Sequence, residues 1–291
     1  MQIKIEGIEK NYARGRNALD SVSLEMANGV YGLIGRNGAG KTTLLRILAT
    51  VLEPTEGEVA YDGLLLSKDK KEICKYIGYL PQSTQLMPYM DIRGFLDYMA
   101  VLKGIYDKKE REQEIDRCIR LVGLENEGRK KLKKYSGGML RRAGIAQALL
   151  GEPKLLIVDE PTTGLDPEER KYFLSMLSRI AIDRTVVFST HIISDIQDLC
   201  NEICILEKGK VSYRGRIEEL VEKLEGRLWE LCVDPRDEDK YKENLLLTDV
   251  SAHGGMSYLR YVSDEKIYEN AVGVKANLED AYIYCLGGMK R

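Results

Sequence analysis

The sequence has no long apolar run, no pair of cysteines at metal-binding spacing and no marked excess of either charge. Its longest apolar runs, such as "LLIV" at Leu155 to Val158, fall far short of the roughly 18 residues needed to span a bilayer. The chain is therefore expected to cross no membrane unaided. The opening "MQIKIEGIEKNY" alternates in polarity and contains no apolar core of signal-peptide length. A net charge of −2 supplies no global field to favour nucleic acid or an anionic membrane. The cysteines, Cys74, Cys118, Cys200, Cys204, Cys232 and Cys285, include no Cys-x-x-Cys pair. Cys200 and Cys204 stand one residue too far apart for a zinc knuckle, and only two histidines could assist. Reduced thiols and no structural metal are expected. Neither repeats nor low-complexity segments occur.

What the chain does have is an alternation of strand and helix signals over its first two hundred residues. "QIKIEGI" and "SVSLEM" alternate as strands, and "VYGLIG" reads as a buried one. "KTTLLRILATVL" reads as a helix stopped by Pro54; "GEVAYDG" and "YIGYLPQ" are further strands. The stretch from about Ile92 to Val122 is helical, with Asp107 and Glu110 capping a second, strongly charged helix. "KLLIVDE" and "TVVFSTH" are short buried strands, and Asp166, Pro167 and Glu169 start a helix running to about Ile180. Such alternation implies an α/β fold with a mainly parallel sheet covered on both faces. Near Gly226 the texture changes: "RLWELCV" and "MSYLRYV" are strands around the charged surface stretch "DPRDEDKYKEN". "NLEDAYIYCL" closes the chain as a helix capped by Asn277. Residues 1–225 are read as the main domain and 226–291 as a small α/β appendage.

The chemistry starts at "GRNGAGKT", which fits G-x-x-x-x-G-K-[ST] at Gly35, Gly40, Lys41 and Thr42, between a buried strand and a helix. Backbone amides around Asn37, Gly38, Ala39, Gly40 and Thr43 are expected to cradle phosphates. Lys41 would bridge the β- and γ-phosphates, and the Thr42 hydroxyl would ligate Mg²⁺. Downstream, Asp159 is suited to hold Mg²⁺ through water, because hard cations prefer carboxylates. Glu160 beside it could orient or deprotonate an attacking water. A second candidate anion site lies in "KKYSGGMLRRAGIAQALL": Ser136, Gly137 and Gly138 place bare amides at the start of a helix ended near Gly151 and Pro153. One chain thus carries two phosphate grips. The basic run Arg129 to Lys134 reads as a solvated face, too small to argue for nucleic acid.

Taken together, these segments resemble an ATP-binding cassette (ABC) ATPase subunit over about Met1 to Leu224. "YSGGM" is similar to the family's LSGGQ signature loop, with Tyr135 in place of Leu and Met139 in place of Gln. The resemblance implies a P-loop NTPase cassette with a mixed, mainly parallel sheet, an antiparallel β subdomain and a helical subdomain at about 88–150. It also explains the two grips. In that family two cassettes pack head to tail, so the phosphate loop of one and the signature loop of the other close on a single ATP. By the same resemblance Tyr12 would stack on adenine, and Gln82 would touch the metal and the attacking water. Thr163 to Asp166 would cross the dimer interface, with Asp166 at the nucleotide, and His191 would contact the γ-phosphate. His253 lies outside any motif and is left at the surface.

The family likeness further implies separate transmembrane permease subunits as partners, docked through Ile92–Val122 and the Gln82 loop, and a second copy of the chain. That places it in the cytoplasm, on the inner face of the membrane. The tail, with "NLEDAYIYCLGG", resembles the C-terminal extension of bacterial cassettes serving ABC-2-type exporters, which favours export. The alternative is a soluble ABC ATPase acting on a macromolecular assembly. Its translation-factor members carry two cassettes per chain and its DNA-repair members a long coiled coil; here there is one phosphate loop and no heptad run between Gly40 and Ser136.

Overall fold

In the computed structural model, which describes residues 1–12, 15–83, 86–200, 202–242 and 244–287, the strand and helix signals become three sheets with flanking helices. The chain runs through β1 (Ile3–Tyr12), β2 (Arg16–Met26), β3 (Gly29–Ile34), α1 (Lys41–Leu48), β4 (Glu56–Tyr61), β5 (Leu64–Leu65) and α2 (Leu66–Ile73). β6 (Ile77–Leu80), α3 (Ile92–Leu102), α4 (Lys108–Leu121), α5 (Gly137–Ala148), β7 (Leu155–Asp159) and α6 (Pro167–Ile180) follow. Then come β8 (Thr185–Thr190), α7 (Ile193–Leu199), β9 (Glu202–Glu207), β10 (Lys210–Arg216) and α8 (Ile217–Glu222). The chain ends with β11 (Leu228–Val233), α9 (Glu238–Lys242), β12 (Leu246–His253), β13 (Met256–Val262), β14 (Val272–Gly273) and α10 (Leu278–Gly287). It packs as two units, Met1–Val211 and Ser212–Arg291.

In the first unit the main sheet has the order β10-β9-β3-β8-β7-β6, and β9, β3, β8, β7 and β6 pair in parallel. Every residue of β7 and β8 is buried, so the strands lack the in-and-out alternation of a half-exposed sheet, with apolar stretches at Leu155 to Val158 and Val186 to Phe188. Register aligns their C-terminal ends: Ile34 pairs with Thr190, and Asp159 with Ser189. Three loops therefore leave the same edge side by side, where open α/β sheets bind their ligands. An antiparallel sheet of order β2-β1-β4-β5 supplies Ile3, Ile5, Ile8 and Tyr61 to the core shared with Leu44, Leu45 and Leu48 of α1. The buried Tyr61 hydroxyl donates to the Leu48 carbonyl at 2.8 Å. Helices α3, α4 and α5 pack together as the helical part.

The helix α1 departs from the sequence expectation, ending at Leu48 rather than running on to Pro54. Two bonds close it: Thr50 N–H to Ile47 carbonyl and Val51 N–H to Arg46 carbonyl, both 2.9 Å. That is a Schellman ending, with Thr50 at the left-handed position that glycine usually fills (φ 62°). Its hydroxyl lies 3.0 Å from the Cys74 sulfur.

The second unit is built on an antiparallel sheet of order β12-β13-β11-β14. Leu231, Val233, Leu259 and Tyr261 form its core. A buried carboxylate on α10 fixes the helix: Asp280 accepts from Thr248 Oγ1 at 2.6 Å and pairs with Arg260 at 3.0 Å. Asn277 and Asp280 also exchange backbone-to-side-chain bonds of 2.9 and 3.0 Å, capping α10 as its sequence indicates. The charged stretch after β11 includes the short helix α9, preceded by a turn in which Asp234 accepts from the Arg236 N–H at 2.9 Å. No helix among the described residues is long and apolar enough to cross a membrane.

Candidate functional site

The loop between β3 and α1 shapes a cleft of about 790 Å³. Gly40 ends that loop at φ 108°, and a Cβ there would stand 2.6 Å from the Ala18 carbonyl oxygen; only glycine meets both demands. Lys41 follows as the first residue of α1. Its ammonium donates to the Gly35 carbonyl at 2.6 Å and lies 3.5 Å from Arg36 O. Asn37, Gly38, Thr42 and Thr43 line the same cleft, where the unpaired amides of the α1 start offer donors to an anion. Tyr12 stands at its rim, 40% exposed, with its hydroxyl 3.5 Å from Thr43 Oγ1. An exposed aromatic face beside a phosphate-sized donor set is free to stack on a base.

The opposite wall comes from the ends of β7 and β8. Glu160 takes a left-handed backbone (φ 45°), held by bonds from its N–H to Ser189 O (3.1 Å) and Ser189 Oγ (3.0 Å). Its carboxylate is the meeting point of the site. Lys41 Nζ lies 3.5 Å from Oε1, Gln82 Nε2 donates to Oε2 at 3.1 Å, and His191 Nδ1 lies 3.4 Å from Oε2. Residues widely separated in sequence thus converge on one buried carboxylate.

Asp159 lies beneath, fully buried. Ser189 Oγ donates to its Oδ1 at 2.6 Å, while Oδ2 has no hydrogen-bond partner among the described residues. A buried, unpartnered carboxylate oxygen is costly unless something cationic or protic meets it. Its carboxylate oxygen is of the kind that suits a hard divalent cation, though Asp159 itself is not among the residues lining the cleft, where Thr42 is. Burial and the charge on Asp159 push the nearby Tyr79 phenol upward.

Ser136, Gly137 and Gly138 do not line this cleft. They open α5, where Ser136 Oγ accepts from the Met139 N–H at 3.2 Å and donates to Glu169 Oε1 at 3.1 Å. The Glu169 carboxylate sits against Gly138 so closely that a Cβ there would be 2.5 Å from its Cδ. Gly138 and Glu169 border a separate hollow of about 180 Å³ with Arg142, Leu165 and Tyr172. Tyr135 fits its position as a buried residue whose hydroxyl donates to Glu127 O at 3.1 Å; burial pushes the phenol up to about 12. Asp166 is also away from the cleft, capping α6 through the Glu169 N–H at 2.8 Å. Ala39 is buried behind the loop. The sequence reading did not single out Ala18, Arg36 and Thr163 as cleft-lining residues, nor Ser189 as the clamp between Asp159 and Glu160. Ser189 carried one available signal, its place immediately before "TH" at the end of a buried strand.

Residues 19–163 match the family model of ABC transporters. The chain is similar to the uncharacterized ABC transporter ATP-binding protein YxlF of Bacillus subtilis (strain 168), 36% identical over 83% of this chain and 80% of the relative. It is 37% identical to the bacitracin transport ATP-binding protein BcrA of Bacillus licheniformis, over 72% of this chain and 68% of BcrA. Among solved structures, the dimeric post-hydrolysis state of the ATP-binding cassette MJ0796, bound to ADP and Pi, matches with a TM-score of 0.66 at 27% identity. That match covers 74% of this chain and 98% of the neighbour.

Proposed function

The chain belongs to the ABC transporter family as an ATP-binding, ATP-hydrolysing subunit, and on that premise we propose how its residues divide the work. The observation that carries the reading is the convergence of Lys41, Gln82 and His191 on the Glu160 carboxylate, all within 3.5 Å. Phosphoryl transfer to water demands placement and charge neutralisation more than covalent help. Lys41 and the loop amides from Asn37 to Thr43 bind and neutralise the β- and γ-phosphates. Tyr12 stacks on the adenine. Glu160 accepts a proton from, or orients, the attacking water, with Gln82 and His191 holding that water in line. Thr42, Gln82 and Asp159 would hold Mg²⁺, which when bound would add to the neutralisation of phosphate charge. The separation of Ser136–Gly138 from the chain's own cleft supports a composite site: these residues and Asp166 serve the nucleotide of a second copy packed head to tail.

The proposed partners are a separate permease in the membrane and that second copy, with the cassette on the inner face of the membrane. The tail's resemblance to the C-terminal extension of ABC-2-type exporter cassettes supports export as the direction. Light scattering on Glu160→Gln, with and without Mg-ATP, tests the scheme. Removing the charge stops water activation while leaving the shape, so the variant should double in mass only when ATP is added. A chain that stays monomeric with ATP bound would overturn the autonomous homodimer.

A further inference from the structure

Asp195 is fully buried at the start of α7 and takes no part in the scheme above. Its carboxylate joins three segments. Oδ2 accepts from Thr162 Oγ1 at 2.6 Å and from Thr190 Oγ1 at 3.4 Å, while Oδ1 accepts from Arg170 Nε of α6. Arg170 reaches Ser194 Oγ with its other arm. Thr162 and Thr190 are each 1% exposed, so these bonds are made out of water's reach.

We infer that Asp195 is a positioning residue for hydrolysis, setting the placement of His191 relative to Glu160; this rests on the reading of that pair given above. A hydroxyl has one proton to give. With the Thr190 proton committed to Asp195, its oxygen is turned to accept the Ile192 N–H, which it does at 3.0 Å. The peptide that follows His191, and the Thr190 side chain that precedes it, are thereby tied to Asp195. The same Oδ2 holds Thr162, two residues beyond Glu160, in a turn where Thr163 N–H meets Glu160 O at 3.4 Å and Leu165 N–H meets Thr162 O at 3.1 Å. One carboxylate oxygen thus ties the Glu160 turn to the His191 turn, and the 3.4 Å between Glu160 and His191 depends on it.

Burial alone gives no reason for this arrangement. A buried ion pair is often no more stabilising than well-packed apolar side chains, and such groups are kept where they specify geometry. None of Thr162, Arg170, Thr190 or Asp195 is among the residues lining the ATP cleft. Loosening the network should therefore slow the chemical step and spare the affinity for ATP.

The test is steady-state ATP hydrolysis by the full chain carrying Thr162→Val, Thr190→Val or both, with Thr162→Ser as rescue. Valine keeps the shape and removes the hydroxyl. Each single variant should lose about tenfold in kcat, the scale of one hydrogen bond to a charged group, with KM within about twofold. Thr162→Ser should regain most of the rate. Because both bonds end on one oxygen, the double variant should lose little more than either single one, which is the mark of coupled residues. A purely structural role would lower the melting temperature and leave kcat alone, or raise KM with it; either result, or additive losses, would overturn the inference. Should one variant fail to fold, the other carries the kcat and KM comparison. A wild-type chain that failed to hydrolyse Mg-ATP would instead sink the reading of the Glu160 site.

Discussion

Lys41 shows what a single side chain does at this site. Its ammonium is 5% exposed and bonded to the loop it follows, so no solvent has to be displaced to aim it at an incoming phosphate. Lys41→Ala should weaken ATP binding by about ten- to a hundredfold, the worth of a charge-assisted bond, read by titration with a fluorescent ATP analogue. The cysteines give a second prediction at this scale. Burial pushes the Cys118 thiol up to about 12, and that of Cys200 upward as well. Since the thiolate is the reactive form, iodoacetamide at about pH 8 should label exposed Cys74 and spare Cys118 and Cys200 until the chain unfolds, which peptide mapping would show. Lys41, Thr42, Asp159 and Glu160 stood out as candidates in the sequence because each sits at the end of a strand or loop with its own pattern, and His191 stood out through the family resemblance. Ser189, Thr162 and Asp195 were not. Their importance lies in contacts across about thirty residues of chain, between hydroxyl and carboxylate groups that are common in any loop.

At the scale of elements, the caps were the most legible feature. Asp107 and Asp166 each accept the N–H three residues on, both at 2.8 Å; Ser136, read as the start of a helix with bare amides, caps α5 in the same way at 3.2 Å. Asp107 starts α4, away from the cleft; Asp107→Ala should cost about 1 kcal/mol in a urea melt and leave ATP hydrolysis unchanged. The elements without such a signature went unread. In α2 only Leu66 and Ile73, its two ends, are buried, and Asp69 interrupts it with φ −110°, so no apolar stripe runs along it. In β12 the one buried residue is Thr248, so the strand shows no alternation. The end of α1 was missed because a threonine occupies the place where glycine would have marked it.

For the whole molecule, the parallel sheet was legible because both faces are covered and the strands carry buried apolar runs, as Leu155 to Val158 of β7 do. What no sequence pattern reports is the alignment of Ile34, Asp159 and Thr190 along one edge, which gathers the site. Ligand linkage gives a test of the assembled cleft. ATP at about 100 times its dissociation constant should stabilise Glu160→Gln by about 2.7 kcal/mol, seen as a higher melting temperature, and the same ATP should stabilise Lys41→Ala by only about 0.4 to 1.4 kcal/mol.

The Glu169 carboxylate against Ser136 and Gly138 bears on assembly too. The start of α5 already holds a negative charge belonging to the chain itself, so in the head-to-tail pair proposed above a second copy's nucleotide would arrive there as a replacement rather than an addition. Two anions cannot share those few ångströms without mutual repulsion, and the carboxylate has to swing out as the phosphate comes in. Glu169→Gln should therefore make ATP-driven pairing of the Glu160→Gln chain tighter at low salt, with the advantage shrinking as ionic strength rises. Dilution light scattering at two salt concentrations would show whether the molecule's own acid is the first competitor its partner must evict.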